Sequence, residues 1–323
     1  MITQKKAWFG FGLIVVLLFA PMVAFPGENK TVVCRLAYTS KGYYAPQILA
    51  SRKGWFNAEG IEIKDVKLGM TAGIAAAEAL VSGSADVAVM GDVPALICLA
   101  GARDCVLVAA YGGGERMHSI VVPGGSAITT AEDLKGKRLG VQFGSSTHGA
   151  VYLYLERKSI PPDQVKLLNM PQKDLIEALI SGSIDALAAS EPTPSLAVRN
   201  MTGVSELACL SGLGNDYPSV IIASRSFAEA HPEAIELVLR GTRKAVDWIN
   251  ADPDGAAKET AVVTGAPASL EAGMFRKMVW KVRLDQTVID SLNKTAGFLN
   301  RLGKLQKVPS LKDQCWSQLG KEG

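Results

Sequence analysis

Hydrophobic positions along the chain fall into short blocks of two alternating kinds. Val32–Tyr38, Ile61–Leu68, Asp86–Met90 and Cys105–Ala110 are apolar or alternating runs of strand length. Between them, Ala45–Lys53, Ile74–Val81 and a segment ending at Leu99 carry helical spacing, the first of them stopped by Gly54. A second set follows the same plan. Strands are predicted at Arg138–Phe143, Val165–Leu168 and Asp185–Ala189, with helices from the Gly144 loop to Lys158 and over Lys173–Ile180. Residues 117–122, Val204–Leu210 and Ser219–Ser224 add three strands. From Pro232 the pattern is helical through residue 302. Ile235, Val238, Leu239, Ala245, Val246 and Ile249 form one apolar stripe, and the tail beyond Gly303 reads as polar surface padding.

One stretch occurs twice. Residues 79–88 (Ala-Leu-Val-Ser-Gly-Ser-Ala-Asp-Val-Ala) and 178–187 (Ala-Leu-Ile-Ser-Gly-Ser-Ile-Asp-Ala-Leu) match at six of ten positions with an offset of 99. Each reads as a helix end, a left-handed glycine cap and a following strand. The expectation is an α/β protein of two similar lobes, each a mostly parallel sheet flanked by helices, joined by two hinge crossings. Lobe 1 is expected over 30–122 and 220–323, lobe 2 over 123–219, and the hinge near Val122–Gly124 and Tyr217–Ser219.

The length, 323 residues, suits two such lobes, and 48% hydrophobic with 20% charged residues is ordinary for a folded protein. A formal charge of +3, with Lys and Arg scattered among acids, excludes a nucleic-acid surface. Residues 1–24 read as a secretory signal: Lys5-Lys6, then an apolar run from Trp8 to Ala20. An uncleaved membrane anchor is the competing reading, interrupted by Pro21. Five cysteines follow the signal. Cys98 and Cys105 are close enough in sequence for a disulfide, and buried thiols are the alternative. The spacing offers no metal site, and no cofactor is expected.

Candidate chemistry lies at the carboxyl ends of the strands, where open α/β sheets bind ligands. Loops 39–44, 69–73 and 144–148 join glycine to hydroxyl residues at helix starts, which suits an anionic group. Ser40, Thr71, Gly144, Ser145, Ser146 and Thr147 are the candidates, with simple helix capping as the alternative role. His148 follows, either as a proton donor to the ligand or as a side chain that is solvated or bonded to backbone. A Ser–His nucleophile lacks a nearby acid and the strained G-x-S-x-G turn. Asp92 and its repeat partner Glu191 would take an ammonium or N–H donor, with surface exposure or a contact to a helix N-terminus as the alternative. Tyr43, Tyr44, Tyr111 and Tyr217 would cover an apolar body.

In this order, several segments make the chain resemble the nitrate/sulfonate/taurine family of ABC-transporter substrate-binding proteins. They are Ala45–Ala50 through Gly54-Trp55-Phe56, Ala79-Leu80 through Asp86, Asp133–Val141, Gly144–His148, Gly182–Ala186 and Glu191-Pro192. The resemblance runs from about Val32 to Leu305 and implies the type II periplasmic-binding-protein fold. It further implies a periplasmic monomer that delivers a small organic anion to a membrane permease with its ATPase subunit. In sulfonate and taurine binders a Ser/Thr-rich loop ending in His is similar to Ser145–His148 and holds the sulfonate. Asp92 departs from the taurine pattern, where a small hydroxyl residue is usual. Related proteins bind nitrate, thiamine-precursor pyrimidines, aromatic carboxylates or riboflavin. Others are pyrimidine-synthesising enzymes that need clustered Cys, a cluster missing here.

Overall fold

The computed structural model describes residues 31–69, 73–101 and 104–316. The expected signal segment and Thr71 lie outside them. Helix and strand alternate through the first half: β1 Val32–Tyr38, α1 Ala45–Arg52, β2 Ile61–Lys67, α2 Ile74–Val81, β3 Val87–Met90, α3 Asp92–Ala100 and β4 Cys105–Gly113. The plan then repeats as β5 His118–Val122, β6 Arg138–Val141, α4 Ser146–Arg157, β7 Lys166–Asn169, α5 Leu175–Ile180, β8 Ala186–Ser190, α6 Thr193–Asn200 and β9 Ser205–Cys209. The remainder is β10 Ser219–Ser224, α7 Arg225–Ala230, α8 Pro232–Ala251, α9 Pro253–Thr264, α10 Ala268–Lys277, β11 Val279–Arg283, α11 Gln286–Arg301 and α12 Leu311–Gln314.

The strands form two sheets, ordered β11-β4-β10-β3-β1-β2 and β7-β6-β8-β5-β9. Reading β1, β2, β3, β10 and β4 against β6, β7, β8, β5 and β9 superposes one order on the other. In each sheet three parallel strands are followed by one antiparallel strand, β10 or β5, and a further strand. These antiparallel strands are the chain's two exchanges between lobes. Here the expected boundary shifts: β5 pairs with β8 and β9 in the smaller sheet, one strand before the division expected after Val122.

The repeated sequence has a repeated physical basis. Past α2 and α5 the chain turns at Gly83 and Gly182, with φ of 80° and 68°. Asp86 then accepts bonds from the backbone N and guanidinium of Arg35 at 2.9 and 2.6 Å. Asp185 does the same with Arg138 at 2.8 and 2.7 Å. Each guanidinium also reaches the turn carbonyl, of Gly83 or Gly182. One arginine therefore ties helix end, turn and two strands together in each lobe. The Arg138 bond holds Asp185 at about 2, below the usual carboxylate range.

Both faces of the larger sheet are covered. Ile48 and Leu49 of α1 and the apolar stripe of α8 cover one, and Leu80, Leu96, Leu292 and Leu299 cover the other. All nine residues of β4 are buried, as expected of a central strand in a two-sided sheet. Two readings of the C-terminal region are corrected. The helical run is broken by β11, where the alternation Val-Trp-Lys-Val-Arg buries Trp280 and leaves Val279 and Lys281 exposed at a sheet edge. The tail is not padding. Cys315 bridges to Leu107, Trp316 donates its backbone N–H to the Leu107 carbonyl at 2.8 Å, and the indole is 9% exposed. The five cysteines form no disulfide; Cys98 is buried and points its thiol at the Ala77 carbonyl.

Candidate functional site

A pocket lies where the strand carboxyl ends of the two sheets face each other. The larger-sheet lobe lines it with Lys41, Tyr43, Tyr44, Gly73, Gly91 and Pro94. His118, Ser145, Ser146, Thr147, Gln172 and Ser190 line it from the other side. Tyr43, Tyr44, Ser145, Ser146 and Thr147 are thus brought together as the sequence predicted.

The hydroxyl cluster is built by the start of α4. Ser145 caps the helix, accepting from the His148 N–H at 3.2 Å while donating to the Gln142 carbonyl at 2.7 Å. Thr147 Oγ1 meets His118 Nδ1 at 2.9 Å. Ser146 packs across the cleft against Gly91. A Cβ on Gly91 would lie 2.2 Å from Ser146 Oγ.

Lys41 is the feature that pattern reading missed. It follows β1 and enters a 3-10 turn at Gly42–Tyr44. Its side chain is 3% exposed, and its ammonium crosses the cleft to Gln172 Oε1 at 2.7 Å and Ser190 Oγ at 2.9 Å. Both acceptors are neutral. Burial drives its pKa down from 10.5 to about 7, and Glu271 and Glu191 offset this only through space. Gln172 is held in turn by donating to the Ser190 carbonyl at 2.8 Å and to Thr193 Oγ1 at 3.0 Å. The loop sequence Thr39–Tyr44 carried the signal, since Lys41 is its single cation. Gln172 and His118 had none, because only the tertiary fold brings them here.

His118 opens β5 and is 1% exposed. Burial, with Lys41 nearby, lowers its pKa to about 3, so the imidazole is neutral. Its Nε2 is buried without a partner among the described residues.

The other predicted site residues lie outside the lining. Asp92 is 1% exposed and bonded to protein. It accepts from Val93 N at 2.8 Å and from Asn215 and Thr295 at 3.2 Å each, and burial raises its pKa. Glu191 is equally buried, paired with Lys277 of α10 and accepting from Ser195 Oγ at 2.9 Å. Both acids are bonded into the protein and do not line the pocket. Tyr111 sits inside β4, which runs three residues past the predicted strand, and is fully buried. Tyr217 donates to the Leu210 carbonyl at 2.9 Å, and its own carbonyl accepts from Tyr43. His148 turns away from the pocket. Its ring stacks on Phe143 at 4.4 Å, Nδ1 accepts from Gly144 N–H, and burial lowers its pKa to about 4. Gly144, at φ 75°, shapes the turn. Ser40 anchors its loop, donating its backbone N–H to the Gly69 carbonyl at 2.7 Å.

Taken together the pocket offers an ammonium, neutral hydroxyl and imidazole groups, and the N-terminal turn of a 12-residue helix. That arrangement favours negative charge. Comparison with known proteins agrees. The family profile described as NMT1/THI5 like matches residues 41–256. The taurine-binding periplasmic protein of Escherichia coli (strain K12) is 27% identical over 193 residues, 56% of this chain and 60% of that one. A Brucella abortus (strain 2308) chain, provisionally named a binding protein, is 27% identical over 249 residues, 76% of this chain and 75% of that one. Among solved structures, the alkanesulfonate-binding protein SsuA from Xanthomonas axonopodis pv. citri, bound to MOPS, superposes with a TM-score of 0.81. It is 26% identical and covers 88% of this chain and 98% of that one. At the level of fold, the desulfurization enzyme DSZB also matches, with a TM-score of 0.67 at 17% identity over 89% of this chain and 97% of that one.

Proposed function

The chain belongs to the NMT1/THI5-like family, and from that premise we propose that it is the substrate-binding component of an ABC importer. It captures a small organic anion, of the sulfonate class, between its two lobes and presents the closed form to a membrane permease. Its fold is the type II periplasmic-binding-protein fold. Export to the periplasm through residues 1–24 is part of this proposal, in keeping with the periplasmic relative. The observation that carries it is the buried Lys41 ammonium, bonded only to neutral oxygens, in one pocket with the first turn of α4. Ligand contacts from both lobes would shift the population toward closure.

An enzyme on the same fold is the rival reading, and the His118–Thr147 pair is where it would reside. A general base working near neutrality needs a pKa close to the working pH. Burial holds His118 at about 3, so it is a poor base for Thr147. None of the described cysteines lines the pocket. We therefore favour binding without turnover.

The test is native mass spectrometry of protein purified without refolding, followed by thermal-shift screening with sulfonates, carboxylates and pyrimidines. A bound ligand raises the midpoint with concentration. An organic anion that co-purifies and stabilises supports the proposal. Catalytic consumption of the ligand, or stabilisation by neutral heterocycles only, refutes it.

A further inference from the structure

We propose that the pocket selects anions that carry no ammonium group, and that Lys41 sets this preference by acting as the ligand's counter-ion. This rests on the binding-protein reading above and narrows it to a ligand class. A zwitterion such as taurine needs a carboxylate facing the pocket; Glu191 and Asp92 are bonded to protein, and Glu271, whose Oε2 is buried without a partner among the described residues, does not line it. Glu191 is neutralised by Lys277 and bonded by Ser195. Asp92 accepts from Val93, Asn215 and Thr295. Glu271 accepts from Thr264 at 2.7 Å, and its second oxygen lies behind Gly42, where a Cβ would come within 1.7 Å of it. None of the three lines the pocket.

The positive side of the balance is unmet. Lys41 reaches the pocket with two neutral acceptors, and His118 Nε2 stands unpartnered beside it. A sulfonate or carboxylate placed there gains a charge-assisted bond from Lys41 and further donors from the α4 turn. A second, cationic end on the ligand would be buried without a partner.

Proton uptake follows from the same geometry. The groups facing Lys41 are Glu191, Glu271, neutral His118 and the buried phenols of Tyr43 and Tyr44. None supplies a bonded negative charge, so the unliganded ammonium titrates near pH 7. An anion restores the charged form. Affinity is then constant well below pH 7 and falls about tenfold per pH unit above it.

The experiment is titration calorimetry on the purified protein with two matched pairs, ethanesulfonate against taurine and propionate against β-alanine. It is run from pH 6 to 9 in buffers of differing ionisation heat. The ammonium-free member of the pair that binds should be tighter by about a hundredfold or more. Net proton uptake should appear at pH 7 to 8. Lys41→Met should weaken binding at pH 6.5 by about tenfold to a hundredfold and abolish the pH dependence. Equal affinity within a pair, or an unchanged pH profile in Lys41→Met, overturns the inference and leaves the importer reading standing. Failure of every anion to bind overturns both.

Discussion

Lys41→Met is expected to stabilise the unliganded protein, although Lys41 is the residue on which binding most depends. Burial lowers the lysine from 10.5 to about 7. That gap corresponds to at most about 5 kcal/mol at about 1.4 kcal/mol per pH unit. Because the folded pKa lies below the unfolded one, the unfolded chain binds more protons between about pH 7 and 10.5. Wild-type stability therefore rises with pH across that window, and the penalty is fully present below pH 7. Methionine removes the penalty while leaving Gln172 Oε1 and Ser190 Oγ without one donor, a loss of about 1–2 kcal/mol for each. Gln172 Oε1 retains a long contact from Ser190 Oγ at 3.5 Å, which limits the damage. The net expectation is a gain of about 1–3 kcal/mol at pH 7. Urea unfolding followed by tryptophan fluorescence at pH 6.5, 7.5 and 9.5 measures it. The advantage of the variant should shrink steadily toward pH 9.5. A variant less stable than wild type at pH 7, or a difference that ignores pH, refutes the assignment of Lys41 as a desolvated cation held for a ligand.

Three further outcomes test the surroundings. Gly91→Ala has no backbone obstacle, since Gly91 is extended at φ −79° and ψ 179°. Its Cβ displaces Ser146 from the pocket wall, so ligand affinity should fall about tenfold by calorimetry while the urea midpoint barely moves. Lys277→Met leaves Glu191 buried without its cation, and unfolding free energy should drop by about 1–3 kcal/mol, read by the same urea titration. Trp316→Ala removes a mostly buried indole from the edge of the larger-sheet core and should cost about 2–4 kcal/mol, whereas a surface tail would lose almost nothing.

Much of the architecture was legible because the repeat is written in local chemistry. Gly83 and Gly182 are cap positions, Asp86 and Asp185 answer Arg35 and Arg138, and these signals lie within a few residues of the elements they end. The hydroxyls of Ser145–Thr147 were legible for the same reason, as a helix start after a strand. Errors arose where the environment decides. Val279–Arg283 alternates as a strand but sits among helices, and only the edge of β4 gives it a partner. Tyr111 looked like a loop residue because glycines follow it, yet β11 pairs with Gly112 and Gly113 and so extends β4. Asp92 and Glu191 were rightly placed at equivalent stations. Their partners, Asn215, Thr295 and Lys277, come from distant segments that no local pattern connects to them.

The same duplication explains why the site is unsymmetrical. The loops after β1 and β6 hold equivalent stations in their sheets, but one presents the Lys41 ammonium and the other the N-terminal turn of α4. Both carry positive potential, and both reach one pocket. Neither can neutralise the other. Fitting a carboxylate into the pocket would satisfy them permanently and fix the lobes together. Here the nearby acids are instead matched to Lys277 and to the Asn215–Thr295 pair. The unmatched charge is left to a guest anion. Lys41→Met thus removes the cation that a guest anion would balance.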